Sequence, residues 1–255
     1  MKHTKDIRNL FPVFKNNPEL VYADSAATAQ RPHSVIEAVA DFEKHGVANI
    51  HRGMYKLSEE ATQRYEATRE KAARFVGATE ASCITFTKGT TESINTIAFG
   101  FLRNQLQAGD EVIISAMEHH ANLIPWQEVC KEKNARLVIL PVTDRSELVM
   151  DKLPGLFSSK TRFLAITHIS NTLGTINPVK EIIRIAHDHE VPVLVDAAQS
   201  IAHYPVNVQT LDVDFLVFSA HKMFGPFGVG VLYVNPKYRA KIRPLNFGGG
   251  AVRHV

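Results

Sequence analysis

Seven short apolar runs punctuate this chain, at residues 84–87, 111–115, 135–142, 163–167, 191–195, 214–219 and 229–234, and most are continuous in Val, Ile, Leu and Phe. A strand that is apolar on consecutive residues must be covered on both faces. The segments 34–45, 58–76, 91–107, 120–133 and 178–190 carry apolar residues at helical spacing. The second of these opens at Leu57-Ser58, which predicts Ser58 as its N-cap. Strands alternating with helices predict an α/β fold, a mostly parallel seven-stranded sheet flanked by helices. That architecture also restricts function, because such sheets bind ligands outside the carboxyl ends of their strands.

Length and composition narrow the field further. With 255 residues, 45% hydrophobic and 22% charged, the chain has enough material for one large domain or two small ones. No repeat, low-complexity tract or Pro/Gly-rich linker divides it, so one domain is the simplest reading. The formal charge of +3 comes without a run of basic residues. No concentrated positive face for nucleic acid or an anionic membrane is therefore expected. Two cysteines, Cys83 and Cys130, make neither a disulfide framework nor a zinc or redox pair, which points to a reducing compartment. The apolar residues 10–14 are too few for a signal-peptide core, and no stretch approaches the roughly 20 residues of a membrane span. A cytoplasmic protein is expected. Twelve histidines raise the question of a metal, but no His-Glu-x-x-His pair occurs and His187 and His189 diverge on a helix, so none is expected.

Polar residues gather where the apolar runs stop. Thr87-Lys88-Gly89-Thr90-Thr91-Glu92 follows the first run and Met117-Glu118-His119-His120-Ala121-Asn122 the second. His168-Ile169-Ser170-Asn171 follows the fourth, Asp196-Ala197-Ala198-Gln199 the fifth and Ser219-Ala220-His221-Lys222 the sixth. Lys222 stands where a Schiff-base lysine would, since desolvation lowers an amine toward its neutral, nucleophilic form. A solvated loop lysine is the plainer alternative. Gly89-Thr90-Thr91, between a strand and a helix, offers backbone N–H groups and two hydroxyls to a phosphate, although a simple turn and N-cap has the same composition. Asp196 ends a buried strand, where its charge needs a partner such as a protonated ring nitrogen, or serves as an N-cap. Of His119 and His120 at most one faces the site, either as a cap or stacked on a flat ligand.

Taken in order, Tyr22-Ala-Asp-Ser-Ala-Ala27, Asn49-Ile-His-Arg-Gly53, Gly89-Thr-Thr-Glu92, Met117-Glu-His-His-Ala-Asn122, Thr167-His-Ile-Ser-Asn171, Val195-Asp-Ala-Ala-Gln199 and Ser219-Ala-His-Lys222 resemble the Suf-type cysteine desulfurases. These are pyridoxal-phosphate-dependent enzymes of the class V aminotransferase superfamily, and the likeness spans about residues 6–250. It implies the large domain of an aspartate aminotransferase type I-like fold. The expected division is an N-terminal segment over 1–20, a cofactor-binding domain over 21–247, and the start of a connection to a small domain over 248–255. It further implies that Lys222 holds pyridoxal 5'-phosphate through its amine and that Asp196 pairs with the ring nitrogen. His119 would stack on the ring and move protons. Thr90, Thr91, Ser219 and His221 would hold the phosphate, and Gln199 and Asn171 would bond the phenolic oxygen side or the substrate. Ala26, Ala27, His51 and Asn171 would line the substrate pocket.

L-cysteine, or L-selenocysteine, would be the substrate, a homodimer the assembly, and a Suf-type protein the sulfur acceptor that feeds iron–sulfur cluster assembly. The family's nucleophilic cysteine and its substrate-binding arginine lie beyond the positions matched here, so the chain resembles a large domain supplied short. Cys83 and Cys130 read as small core residues. Selenocysteine lyase, another class V reaction and a non-catalytic module are the alternatives.

Overall fold

The computed structural model describes residues 7–248. The expectations for residues 1–6 and 249–255 lie outside it. Strands β1 (Ile84–Thr87), β2 (Glu111–Ser115), β3 (Arg136–Leu140), β4 (Thr161–Thr167), β5 (Val193–Asp196), β6 (Phe215–Ser219) and β7 (Gly230–Val234) form one sheet in the order β1-β7-β6-β5-β4-β2-β3. The pairings from β3 through β6 are parallel, whereas β7 runs antiparallel to both β6 and β1. The sheet is thus mostly parallel, as the continuous apolar runs predict. The reversal at β7 follows from its short connection to β6, which has no room for a crossover helix.

Alternate residues of each strand enter two separate cores. On one face Ile113, Leu164, Ile166, Val193, Val195 and Leu216 meet Ile182, Ile183 and Ala186 of the helix Val179–Asp188. On the other, Val112, Ile114, Phe163, Phe215 and Val217 meet Ile94 and Ile97 of the helix Thr90–Gly100 and Trp126 of the helix Ile124–Lys133. Each fully buried side chain of this size stabilises the fold by about 1.5–3 kcal/mol relative to exposure. Aromatic packing concentrates on the second face, where Trp126 and Phe163 lie 5.0 Å apart and Phe101 and Phe215 5.1 Å apart.

Helix boundaries differ from the sequence expectation for identifiable reasons. Segment 91–107 stops being α-helical at Gly100, where the backbone of Arg243 crosses and its N–H bonds the Gly100 carbonyl at 2.9 Å. Segment 120–133 is divided, since Pro125 is tolerated only in a first helical turn. A separate turn, His120–Asn122, therefore precedes the helix Ile124–Lys133. Ser58 is not a cap: the helix begins at Lys56, and the buried Ser58 hydroxyl donates to the Asn49 carbonyl at 2.6 Å. Among the described residues no helix is long and apolar enough to cross a membrane.

Candidate active site

Because β4, β5 and β6 are parallel neighbours, their last residues end at one rim of the sheet. Thr167 pairs in register with Asp196, the last residue of β5, and Ser219 closes β6. Lys222 follows in the short turn Ala220–Lys222. These ends wall a cavity of about 480 Å³, within the usual range for small-molecule sites. Thr90, Thr91, His119, Asn171, Asp196, Gln199, Ser219, His221 and Lys222 all line it, as do Ala26 and Ala27. A larger cavity of about 750 Å³ along the helix Val179–Asp188 is mainly apolar and shares none of these residues.

One end of the cavity is built for an anion. Thr90 opens an 11-residue helix, so the first N–H groups have no intrahelical acceptor and the positive end of the helix dipole faces the cavity. The Thr90 N–H donates to Ser219 Oγ at 2.8 Å, and the two hydroxyls lie 2.7 Å apart. Gly89, at φ +155°, lets the chain turn here, and Gly230 of β7 packs directly on its backbone. His221 Nδ1 lies 3.2 Å from Thr28 Oγ1, while the His221 carbonyl accepts from Ala29 N–H at 2.9 Å. The N-terminal segment is thereby tied to the cavity. Gln199 Nε2 adds a second tie, donating to the Ala26 carbonyl at 2.7 Å.

The other end carries opposed charges. Asp196 is 5% exposed, and burial raises its pKa above the usual carboxylate range against the pull of the Ala198 N–H and Lys222. The Ala198 N–H donates to Asp196 Oδ1 at 2.9 Å. Burial lowers Lys222 below the usual lysine range, with Asp196 opposing. Among the described residues the two form no direct ion pair, so each faces the same space and feels the other's charge across it. Burial, then Lys222 and His120, lower the pKa of His119. Its Nδ1 accepts from Ala121 N–H at 3.1 Å, which leaves the ring proton of the neutral form on Nε2.

An anion cradle, an amine with a lowered pKa and a buried carboxylate along one cavity fit a phosphorylated pyridine aldehyde in donor set and in sign of charge. Pyridoxal 5'-phosphate has those three groups. His51, by contrast, stands off the cavity wall. It adopts φ +70°, and its ring packs edge-on against Tyr65 at 5.5 Å. Asp24, Thr167 and Ile169, which the sequence reading did not select, also line the cavity. Thr167 was legible as the end of a buried strand, whereas Asp24 enters only because its segment folds back over the sheet rim.

A parallel-rich α/β sheet with a lysine facing an aspartate beside an anion cradle defines a pyridoxal-phosphate-dependent type of fold. The chain belongs to the aminotransferase class-V family, whose model matches residues 21–255. A cysteine desulfurase of Cronobacter sakazakii is 48% identical over 254 residues, which are 98% of this chain and 63% of that protein. The crystal structure of the Escherichia coli cysteine desulfurase CsdA superposes with a TM-score of 0.91 at 40% identity, covering 100% of this chain and 63% of the other. The apo cysteine desulfurase of Thermococcus onnurineus gives a TM-score of 0.94 at 37% identity, covering 100% of this chain and 62% of the other. The chain thus spans less than two thirds of the length of these relatives.

Proposed function

We propose that this chain forms the cofactor-binding part of a cysteine desulfurase, which takes sulfur from L-cysteine and leaves L-alanine and a persulfide on a cysteine thiol. The observation that carries this reading is the meeting of Lys222, Asp196 and the Thr90–Ser219 cradle in one cavity, in a chain so similar to cysteine desulfurases. When bound, pyridoxal 5'-phosphate supplies an electron sink for negative charge at the substrate α-carbon.

In this reading Thr90, Thr91, Ser219 and His221 hold the phosphate, and Asp196 keeps the proton on the ring nitrogen. His119 lies on the ring face and moves protons, while Gln199 and Asn171 bond the phenolic oxygen side. Lys222 tethers the cofactor and, when free, moves the proton at the α-carbon. Ala26 and Ala27 leave room for the substrate, and His51 is given no part. Cys83 and Cys130 are buried, so the thiolate that takes the sulfur comes from outside these 255 residues.

Residues 21–247 act as the cofactor-binding unit after an N-terminal segment over 1–20. The unit works as a homodimer, a reading supported by large apolar side chains on its surface such as Met54, Phe227 and Phe247. A cytoplasmic setting and a Suf-type acceptor protein serving iron–sulfur cluster assembly complete the proposal.

The test is direct. The purified chain mixed with pyridoxal 5'-phosphate turns yellow, borohydride fixes the adduct on Lys222 by peptide mapping, and Lys222→Ala stays colourless. An adduct on another residue, or none, sinks the reading.

A further inference from the structure

Glu118 lies just behind the cavity wall and has no part in the roles above. Its carboxyl gathers donors from three places. The Ser115 hydroxyl, at the end of β2, reaches Oε1 at 2.5 Å, and the Thr167 N–H, at the end of β4, reaches the same oxygen at 2.9 Å. Asn122 Nδ2, from the turn His120–Asn122, donates to Oε2 at 2.6 Å. Asn122 is fully buried, and its Oδ1 accepts from Trp126 Nε1 at 3.0 Å.

An indole N–H can only donate. Trp126 therefore fixes which way the Asn122 amide points, and with it the need for an acceptor at Glu118 Oε2. A carboxylate accepts from all three donors; in the acid form a proton on Oε1 would point at the Ser115 oxygen, whose own hydroxyl turns away, while the Thr167 and Asn122 donors are still met. Burial, with Asp196 as the facing charge, pushes this acid up to about 8 against the three donors. An amide satisfies them in neither orientation, since its NH₂ must face either the Thr167 N–H or the Asn122 NH₂.

We propose that Glu118 is the positioning residue for His119, tying the segment 117–122 to the end of β4 so that the imidazole is held against the cavity. The tie acts through the turn: the His119 carbonyl accepts from Asn122 N–H at 2.7 Å, and its ring nitrogen accepts from Ala121 N–H. The inference rests on the proposed function only in giving the face of the His119 ring a cofactor ring to lie on.

The test uses Glu118→Gln in the cofactor-free protein. The imidazole titration of His119 and the indole N–H resonance of Trp126, the one tryptophan of the chain, are followed by NMR. With the turn released, the His119 ring loses its burial and moves away from Lys222, so its pKa rises toward the ordinary histidine value, and the indole resonance shifts. Pyridoxal 5'-phosphate then binds up to about tenfold more weakly, because the displaced imidazole no longer stacks on its ring. A His119 titration identical to wild type overturns the proposal, whatever the change in melting temperature. Should Glu118→Gln fail to fold, Ser115→Ala removes one donor alone and must move His119 in the same direction by a smaller amount; no movement overturns it. If the wild-type chain takes up no cofactor, the proposed function falls while the titration still decides the role of Glu118.

Discussion

Replacing Gly230 by alanine tests whether the anion cradle is held by backbone packing. A Cβ at this position would stand 2.5 Å from Gly89 Cα, 2.7 Å from its carbonyl carbon and 2.8 Å from its nitrogen. Carbon atoms pack at about 3.5–4.0 Å, so the two backbones must part by about 1 Å. Neither partner is the tip of a flexible side chain, and the movement falls on β1, β7 and the loop between β1 and the helix Thr90–Gly100. Overpacking of this kind costs about 1–3 kcal/mol. A shift of that size also stretches the Thr90–Ser219 bonds, now 2.8 and 2.7 Å, past hydrogen-bond range, for about 1 kcal/mol more.

For a domain of this size each kcal/mol lowers Tm by about 2–4 °C, which gives a fall of about 8 °C. Because the displaced N–H groups are those to which the proposed function assigns the phosphate, cofactor affinity should fall about tenfold or more, one charged hydrogen bond being worth at least about 1.5 kcal/mol. Thermal unfolding of the cofactor-free chain and an absorbance titration with pyridoxal 5'-phosphate measure the two effects. Gly155→Ala is the control, since a Cβ there meets nothing within 4 Å. It should leave both unchanged or add a few tenths of a kcal/mol. Wild-type Tm and affinity in Gly230→Ala would refute the reasoning.

Two further outcomes are expected. Lys222 has a lowered pKa in the folded chain, so in the window between that value and the ordinary lysine range the unfolded chain binds the extra proton; stability of the cofactor-free protein rises with pH there, and falls as pH drops through the folded value. Lys222→Met should remove that component of a denaturation series taken across pH, and an unchanged slope would contradict it. Burial pushes the Cys130 thiol up to about 11, and both cysteines are buried. A thiol reagent should therefore label neither in the native chain and both after unfolding, whereas rapid native labelling would count against their reading as core residues.

The candidate site was legible because its residues stand at strand ends. A continuous apolar run marks a buried strand, and the polar residues after it must emerge at the rim, which brought Thr90, His119, Asn171, Asp196 and Lys222 onto one list before any geometry was known. Ser58 misled for the opposite reason. A serine before Glu-Glu has the composition of a helix cap, yet the carbonyl it meets is that of Asn49, nine residues away in sequence and unmarked by any local pattern. His51 belonged to a recognisable motif, but its backbone conformation and its contacts with Tyr65 set it off the cavity wall.

Residue order alone determined the α/β class, the approximate position of every strand and most of the cavity lining, because burial and helical or strand periodicity are local properties of the chain. Only tertiary structure decided that β7 reverses direction, that Gly230 rests on Gly89, and that Ser115, Asn122 and Thr167 converge on Glu118. These depend on which distant segments become neighbours in space. Hydrogen bonds and steric contacts act over a few ångströms, so their partners are set by the packed sheet and leave no period in the sequence.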